Sequence, residues 1–142
     1  MQNRQQAATV LGWAGVAPFL VLLGMAWLGG PQWLVDLMLG YALVIFAFMC
    51  GSLWAGAMSR PADSPAPLVA SNVLVLAALI AVVIPFEWAM AWLALLFAAH
   101  ALAEWKWVHR GQPGWYRRLR LLLSTTVIAL LALAAAVGLT GG

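Results

Sequence analysis

Residues 33–58 read WLVDLMLGYALVIFAFMCGSLWAGAM, a run whose only charged side chain is Asp36. As a helix this run rises about 39 Å, more than the roughly 30 Å of hydrocarbon in a bilayer. Its apolar residues are contiguous and do not alternate with polar ones, so neither a half-buried strand nor a lipid-facing barrel strand fits. The rest of the chain repeats the pattern. Apolar stretches fall at 8–29, 68–86, 87–107 and 119–140, separated by Gly29-Gly30-Pro31, by Arg60-Pro61-Ala62-Asp63-Ser64-Pro65, by Pro85 and by Gly111-Gln112-Pro113-Gly114. Proline and glycine break helices and mark turns. The third and fourth stretches are divided by Ile84-Pro85-Phe86-Glu87 alone, which predicts a tight helical hairpin, because one helix over 68–107 would be about twice the length a bilayer accepts.

Composition agrees. Of 142 residues, 65% are hydrophobic and 8% charged, where a soluble domain carries about 25% charge. A chain this apolar cannot cover itself with polar surface in water. Soluble enzymes, disordered tails, coiled coils and disulfide-rich secreted modules are excluded as classes. The expected fold is all-α: a single membrane domain over 1–142, with five transmembrane helices. The first stretch is read as a span and not as a cleaved signal. Its apolar run exceeds the 7–15 residues of a signal core, and Gly29-Gly30 is a poor cleavage site.

Charge gives orientation. With five spans, Arg4, Arg60, Lys106, Arg110, Arg117, Arg118 and Arg120 all fall on one face, and they are all seven basic residues of the chain. The positive-inside rule then puts the amino terminus in the cytoplasm and the carboxyl terminus outside, as in a multi-pass protein of the bacterial inner membrane. It also explains the net charge of +3 without a nucleic-acid partner. Trp27, Trp33, Trp88, Trp105, Trp107 and Trp115 fall at span ends, where aromatic belts lie.

Small residues at four-residue spacing let helices approach in lipid. Ala47, Gly51, Ala55 and Ser59 form such a ridge on the second stretch, with Ser52 and Gly56 as a parallel pair beside it. The ridge reads as a helix–helix seam. Ionisable residues inside spans usually face the bundle and mark function. His100 and Glu104, at i and i+4, share one helical face. They suit a proton-titrating pair, or a neighbour-helix hydrogen bond plus an ion pair from Glu104 to Arg117 or Arg120. Asn72 and Ser71 on the third stretch, and Ser124, Thr125 and Thr126 on the fifth, are candidates to join them. The candidate polar cluster is therefore Asn72, His100, Glu104, Arg117 and Arg120. Two potential ligands fall short of a metal site, His109 lies outside the spans so no axial haem pair forms, and no cofactor is expected. The run Trp115-Tyr116-Arg117-Arg118 suits anionic lipid head groups at the cytoplasmic face, with Trp115, Tyr116 and Arg118 as the contacts. Asp36 reads as a partner of the helix dipole, and Tyr41 as a core aromatic with its hydroxyl bonded.

The segment YALVIFAFMCGSLWAGA, followed by Ser71, Pro85, Glu104 and the Pro113-Gly114-Trp115-Tyr116 to Leu119-Arg120 run, resembles a bacterial membrane family of unknown function whose mitochondrial relatives are called transmembrane protein 69. The resemblance covers residues 41 to about 126. It implies a helical membrane fold and no particular chemistry. Where the family often has a histidine before the tryptophan of the second span, Leu53 stands here. No nucleophile elbow, metalloprotease, phosphate-loop or dithiol motif is present. The expectation is a non-enzymatic accessory, assembly or structural subunit bound to a membrane-protein partner. The alternative is a carrier or channel for a proton, lipid or small apolar molecule, using His100 and Glu104.

Overall fold

The computed structural model describes residues 2–58, 65–108 and 112–137, with side chains from residue 5 to residue 136 of those ranges. Among the described residues the fold is helical throughout: α1 Gln2–Trp27, α2 Gln32–Met58, α3 Ala66–Ala78, α4 Phe86–Trp107 and α5 Gly114–Val137, with a 3-10 segment, Leu79–Val82, extending α3. Four of these helices are long and apolar enough to cross a membrane; the third, Ala66–Val82 with its 3-10 end, is shorter. α1 begins earlier than expected and holds Pro18 in its interior, which a helix supported by neighbours tolerates.

The turns follow from their residues. At the end of α1, Gly29 takes φ +87°, a left-handed conformation natural to glycine. Its N–H bonds to Ala26 O at 3.1 Å and that of Gly30 to Met25 O at 3.1 Å, the paired bonds of a Schellman cap. The third stretch stops at Val82 and not at 86, because Pro85 disfavours helical geometry at the residue before it. Pro85 then opens α4, its carbonyl accepting from the Ala89 N–H at 2.8 Å. The expected break between the third and fourth stretches is therefore present.

Cross-helix contacts set the directions. Phe46 meets Phe97 edge-on at 4.9 Å, and His100 meets the Met49 carbonyl at 2.7 Å. Both pairs have the same offset along the chain, so α2 and α4 run parallel. Glu104 meets Arg120, while Glu87 and Ala136 line one groove, so α4 and α5 run antiparallel. α1, α2, α4 and α5 form a ring in which each packs on two others, and α3 lies against α2 and α4. Phe19, Met38, Phe46, Met90, Leu93, Phe97 and Leu131 are fully buried at its centre. Tyr41 packs edge-on against Phe19 at 5.0 Å and donates its hydroxyl to the Gly15 carbonyl, as its sequence position suggested.

The ridge on α2 is a correction. Ala47, Gly51 and Ala55 are exposed, and a Cβ added at Gly51 meets nothing within 4 Å. Among the described residues they form no seam; Ser59 lies outside those residues. The inward face of α2 is taken by Met38, Ala42, Phe46, Met49, Cys50 and Leu53, whose larger apolar area fills the core. The close approach falls instead on the parallel pair, where a Cβ at Gly56 would stand 2.7 Å from a Val108 methyl. Asp36 lies beyond the first turn of α2, which holds no acid, so it is not placed at the helix N-terminus.

Candidate functional site

The parallel register of α2 and α4 sets Met49 beside His100. The antiparallel return of α5, which starts after Pro113, sets Arg120 against Glu104. Three helices thus deliver their polar groups to one point. His100 lies seven residues from the end of α4 and Arg120 six from the start of α5, about 10 Å along each helix, and Glu104 lies three residues from the end of α4, about 4.5 Å.

At its centre is a bidentate ion pair. Arg120 Nη2 donates to Glu104 Oε2 at 2.6 Å, and Arg120 Nε donates to Glu104 Oε1 at 2.9 Å. The two side chains are 11% and 9% exposed. Planar guanidinium and carboxylate groups match in this side-on geometry, which gives charge-assisted bonds in a fixed orientation. Gln112 Nε2 approaches Glu104 Oε1 at 3.4 Å, and the third arm of the guanidinium, Nη1, points at Met49 Sδ at 3.1 Å.

His100 is fully buried. A carbonyl only accepts, so Nε2 carries the hydrogen and donates to Met49 O at 2.7 Å. In the neutral ring Nδ1 then bears a lone pair. Among the described residues it has no hydrogen-bond partner, and it stands 3.9 Å from Glu104 Oε2. Met49 therefore serves twice, by its carbonyl to α4 and by its sulfur to α5.

Of the candidate cluster, His100, Glu104 and Arg120 come together. Glu104 takes Arg120 and not Arg117, which is exposed and lines a hollow of about 30 Å³ with Glu104, Gln112 and Arg120. Asn72 is a second correction. It is exposed, and its amide donates to the Leu68 carbonyl of its own helix at 3.1 Å. Ser71 is the buried neighbour, donating to the same carbonyl at 2.9 Å; one residue is about 100° of helix rotation, so Asn72 is turned outward. Ser124 is buried and borders the 30 Å³ hollow with Arg120. Thr125 and Thr126 bond the carbonyls of Leu121 and Leu122 one turn back. Trp115 and Tyr116 stack edge-on at 5.7 Å, with Arg118 exposed beside them. The reading of one basic face includes Arg60 and Arg110, which lie outside the described residues, as does the side chain of Arg4; His109, read as lying outside the spans, is also outside them.

Met49 and Gln112 escaped the sequence reading. A methionine among apolar residues gives no sign that its backbone and sulfur will be used, and Gln112 lies in a turn. Among the described residues, no three His, Cys, Asp or Glu side chains converge as a metal site would require.

The described residues, all-helical and with four helices long and apolar enough to cross a membrane, are compatible with a multi-pass membrane protein. More particularly, the chain belongs to the DUF3429 family of proteins of unknown function, which it matches over residues 4–136. Comparisons with curated proteins and with solved structures gave no match.

Proposed function

We propose that this protein is a non-enzymatic accessory or assembly subunit of a larger complex in the bacterial inner membrane, and that its family includes transmembrane protein 69. The observation that carries this reading is the closed ionic clasp. Glu104 and Arg120 satisfy each other through two short bonds, and with Met49 they tie α2, α4 and α5 into a preformed scaffold. Burying such charges is expensive unless they are paired and hydrogen-bonded, and here the pairing serves rigidity. The Ala47, Gly51 and Ala55 face is left outward, open to close approach by a helix of another protein.

In this reading the chain crosses five times. Counting 13 α-helical and four 3-10 residues, Ala66–Val82 rises about 28 Å, close to a bilayer's hydrocarbon thickness. The amino terminus is cytoplasmic, and Trp115, Tyr116 and Arg118 rest among anionic head groups. Extraction in digitonin followed by native-gel mass spectrometry is expected to find a stoichiometric membrane-protein partner. A strictly lone monomer would overturn the reading.

One observation favours a second reading, a proton carrier. The bare Nδ1 of His100 beside the Glu104 carboxylate is a proton acceptor in a buried site. If His100→Gln leaves complementation of a deletion strain intact, that reading loses its acceptor.

A further inference from the structure

Arg120 also borders a larger hollow of about 180 Å³, lined by residues of α1, α2, α4 and α5 and not by Glu104. Native interiors hold few voids larger than a water molecule, and a cavity of roughly 150 Å³ lined by apolar side chains takes up benzene. Gly15 lines it, and a Cβ there would meet nothing within 4 Å, so a larger side chain at this position has room to enter the hollow. Its walls are otherwise apolar and partly aromatic, with Phe97 at the back and Val127 on the α5 side. Leu11 and Phe48, 70% and 72% exposed, also line it, so it opens sideways between α1 and α2 toward the surrounding lipid.

The polar contribution comes from Arg120 and Ser124, one helical turn apart on α5 and both lining this hollow. The guanidinium has only donors to offer. Its Nη1 is met by the thioether of Met49, a weak acceptor that an oxygen would replace with gain. The matching ligand group is an oxygen acceptor that receives from Nη1 and from the Ser124 hydroxyl, as a carbonyl does. Glu104 already neutralises Arg120, so a second anion would leave excess negative charge in an apolar site. The acceptor belongs to a neutral molecule.

We propose that this hollow binds the ring of a quinone-class lipid, a neutral carbonyl-bearing ring whose tail leaves past Leu11 and Phe48 into the bilayer. The site goes beyond the subunit reading and is independent of it, since a monomer without protein partners still binds the ring.

The test is native mass spectrometry of the purified full chain from dodecylmaltoside, titrated with decylubiquinone. One saturable adduct per chain is expected. Decylbenzene, which keeps ring and tail but lacks the carbonyl, should bind more than about ten-fold more weakly, because it loses the bond from the charged Arg120 donor and that from Ser124. Gly15→Leu, which fills the hollow, should abolish the adduct, and Ser124→Ala should weaken it several-fold. Val127→Phe occludes the same space from α5 if Gly15→Leu fails to fold. Equal binding of decylbenzene, preference for the decanoate anion, no saturable adduct in the wild type, or full binding by a folded hollow-filling variant overturns the proposal.

Discussion

Replacing Glu104 by Gln removes the acceptor charge and leaves the Arg120 guanidinium buried without a counter-charge. Both side chains are about one-tenth exposed, and their two bonds are 2.6 and 2.9 Å long. Breaking one partner of such a buried pair costs about 3–5 kcal/mol, much of it the penalty of the stranded charge. The chain carries its own reporter. Cys50 is its one cysteine, is buried at 3% exposure, and follows Met49 on α2. Maleimide labelling of Cys50 in detergent therefore measures opening of the bundle. At about 1.4 kcal/mol per factor of ten, Glu104→Gln should speed labelling by a factor of about 10² to 4 × 10³ where opening is a pre-equilibrium. Arg120→Met should act similarly, stranding the carboxylate. The double variant Glu104→Leu with Arg120→Met strands neither charge and should recover most of the protection. Asn72→Ala, on the outer side of α3, is the control and should leave the rate unchanged. Wild-type labelling in both single variants, or a double variant equal to the sum of the singles, would refute the clasp.

The next predictions use the same assay, and the last uses thermal unfolding. His100→Leu loses one hydrogen bond to a carbonyl, worth roughly 1 kcal/mol between membrane helices, so labelling should rise only about five-fold; a loss matching that of Glu104→Gln would contradict this. Gly56→Leu forces a side chain into Val108, where a Cβ alone would stand 2.7 Å from a methyl, and overpacking of this kind costs about 1–3 kcal/mol. Gly51→Leu, on the open face, is its neutral counterpart, and equal effects of the two would refute the packing described. Leu53 is 1% exposed and packs with Ala103 and Val108, at the level of Glu104 in the α2–α4 register. Leu53→His, which installs the histidine suggested by the family resemblance, should destabilise this chain measurably by thermal unfolding. It should destabilise less in the wild type than in Glu104→Gln, where the carboxylate acceptor is gone.

Much of the fold is legible in residue order. Pro85 and the Gly29-Gly30-Pro31 turn act through their own backbone restrictions, so their effect needs no neighbours to be known. The candidate site was half legible. His100 and Glu104 share a helical face by spacing alone, whereas the choice of Arg120 over Arg117 depends on how α5 rotates against α4. The small-residue ridge shows the same limit. Periodicity finds a face on α2, but not which of two adjacent faces turns inward; Phe46, Met49 and Leu53 decide that by the apolar area they bury.

What the sequence determined by itself was whatever depends on one segment and its solvent. This covers apolar length, helix breaks, the clustering of basic residues after the fourth stretch, and the presence of His100 and Glu104 on one face of a hydrocarbon-length helix. Tertiary structure alone decided the pairings between segments. It set Met49 under both His100 and Arg120, turned Asn72 outward, and left a hollow at Gly15 where four helices meet. A charge inside an apolar helix announces that it needs a partner, but the partner's identity is fixed only when helix directions and rotations are fixed. Those follow from the packing of the whole bundle.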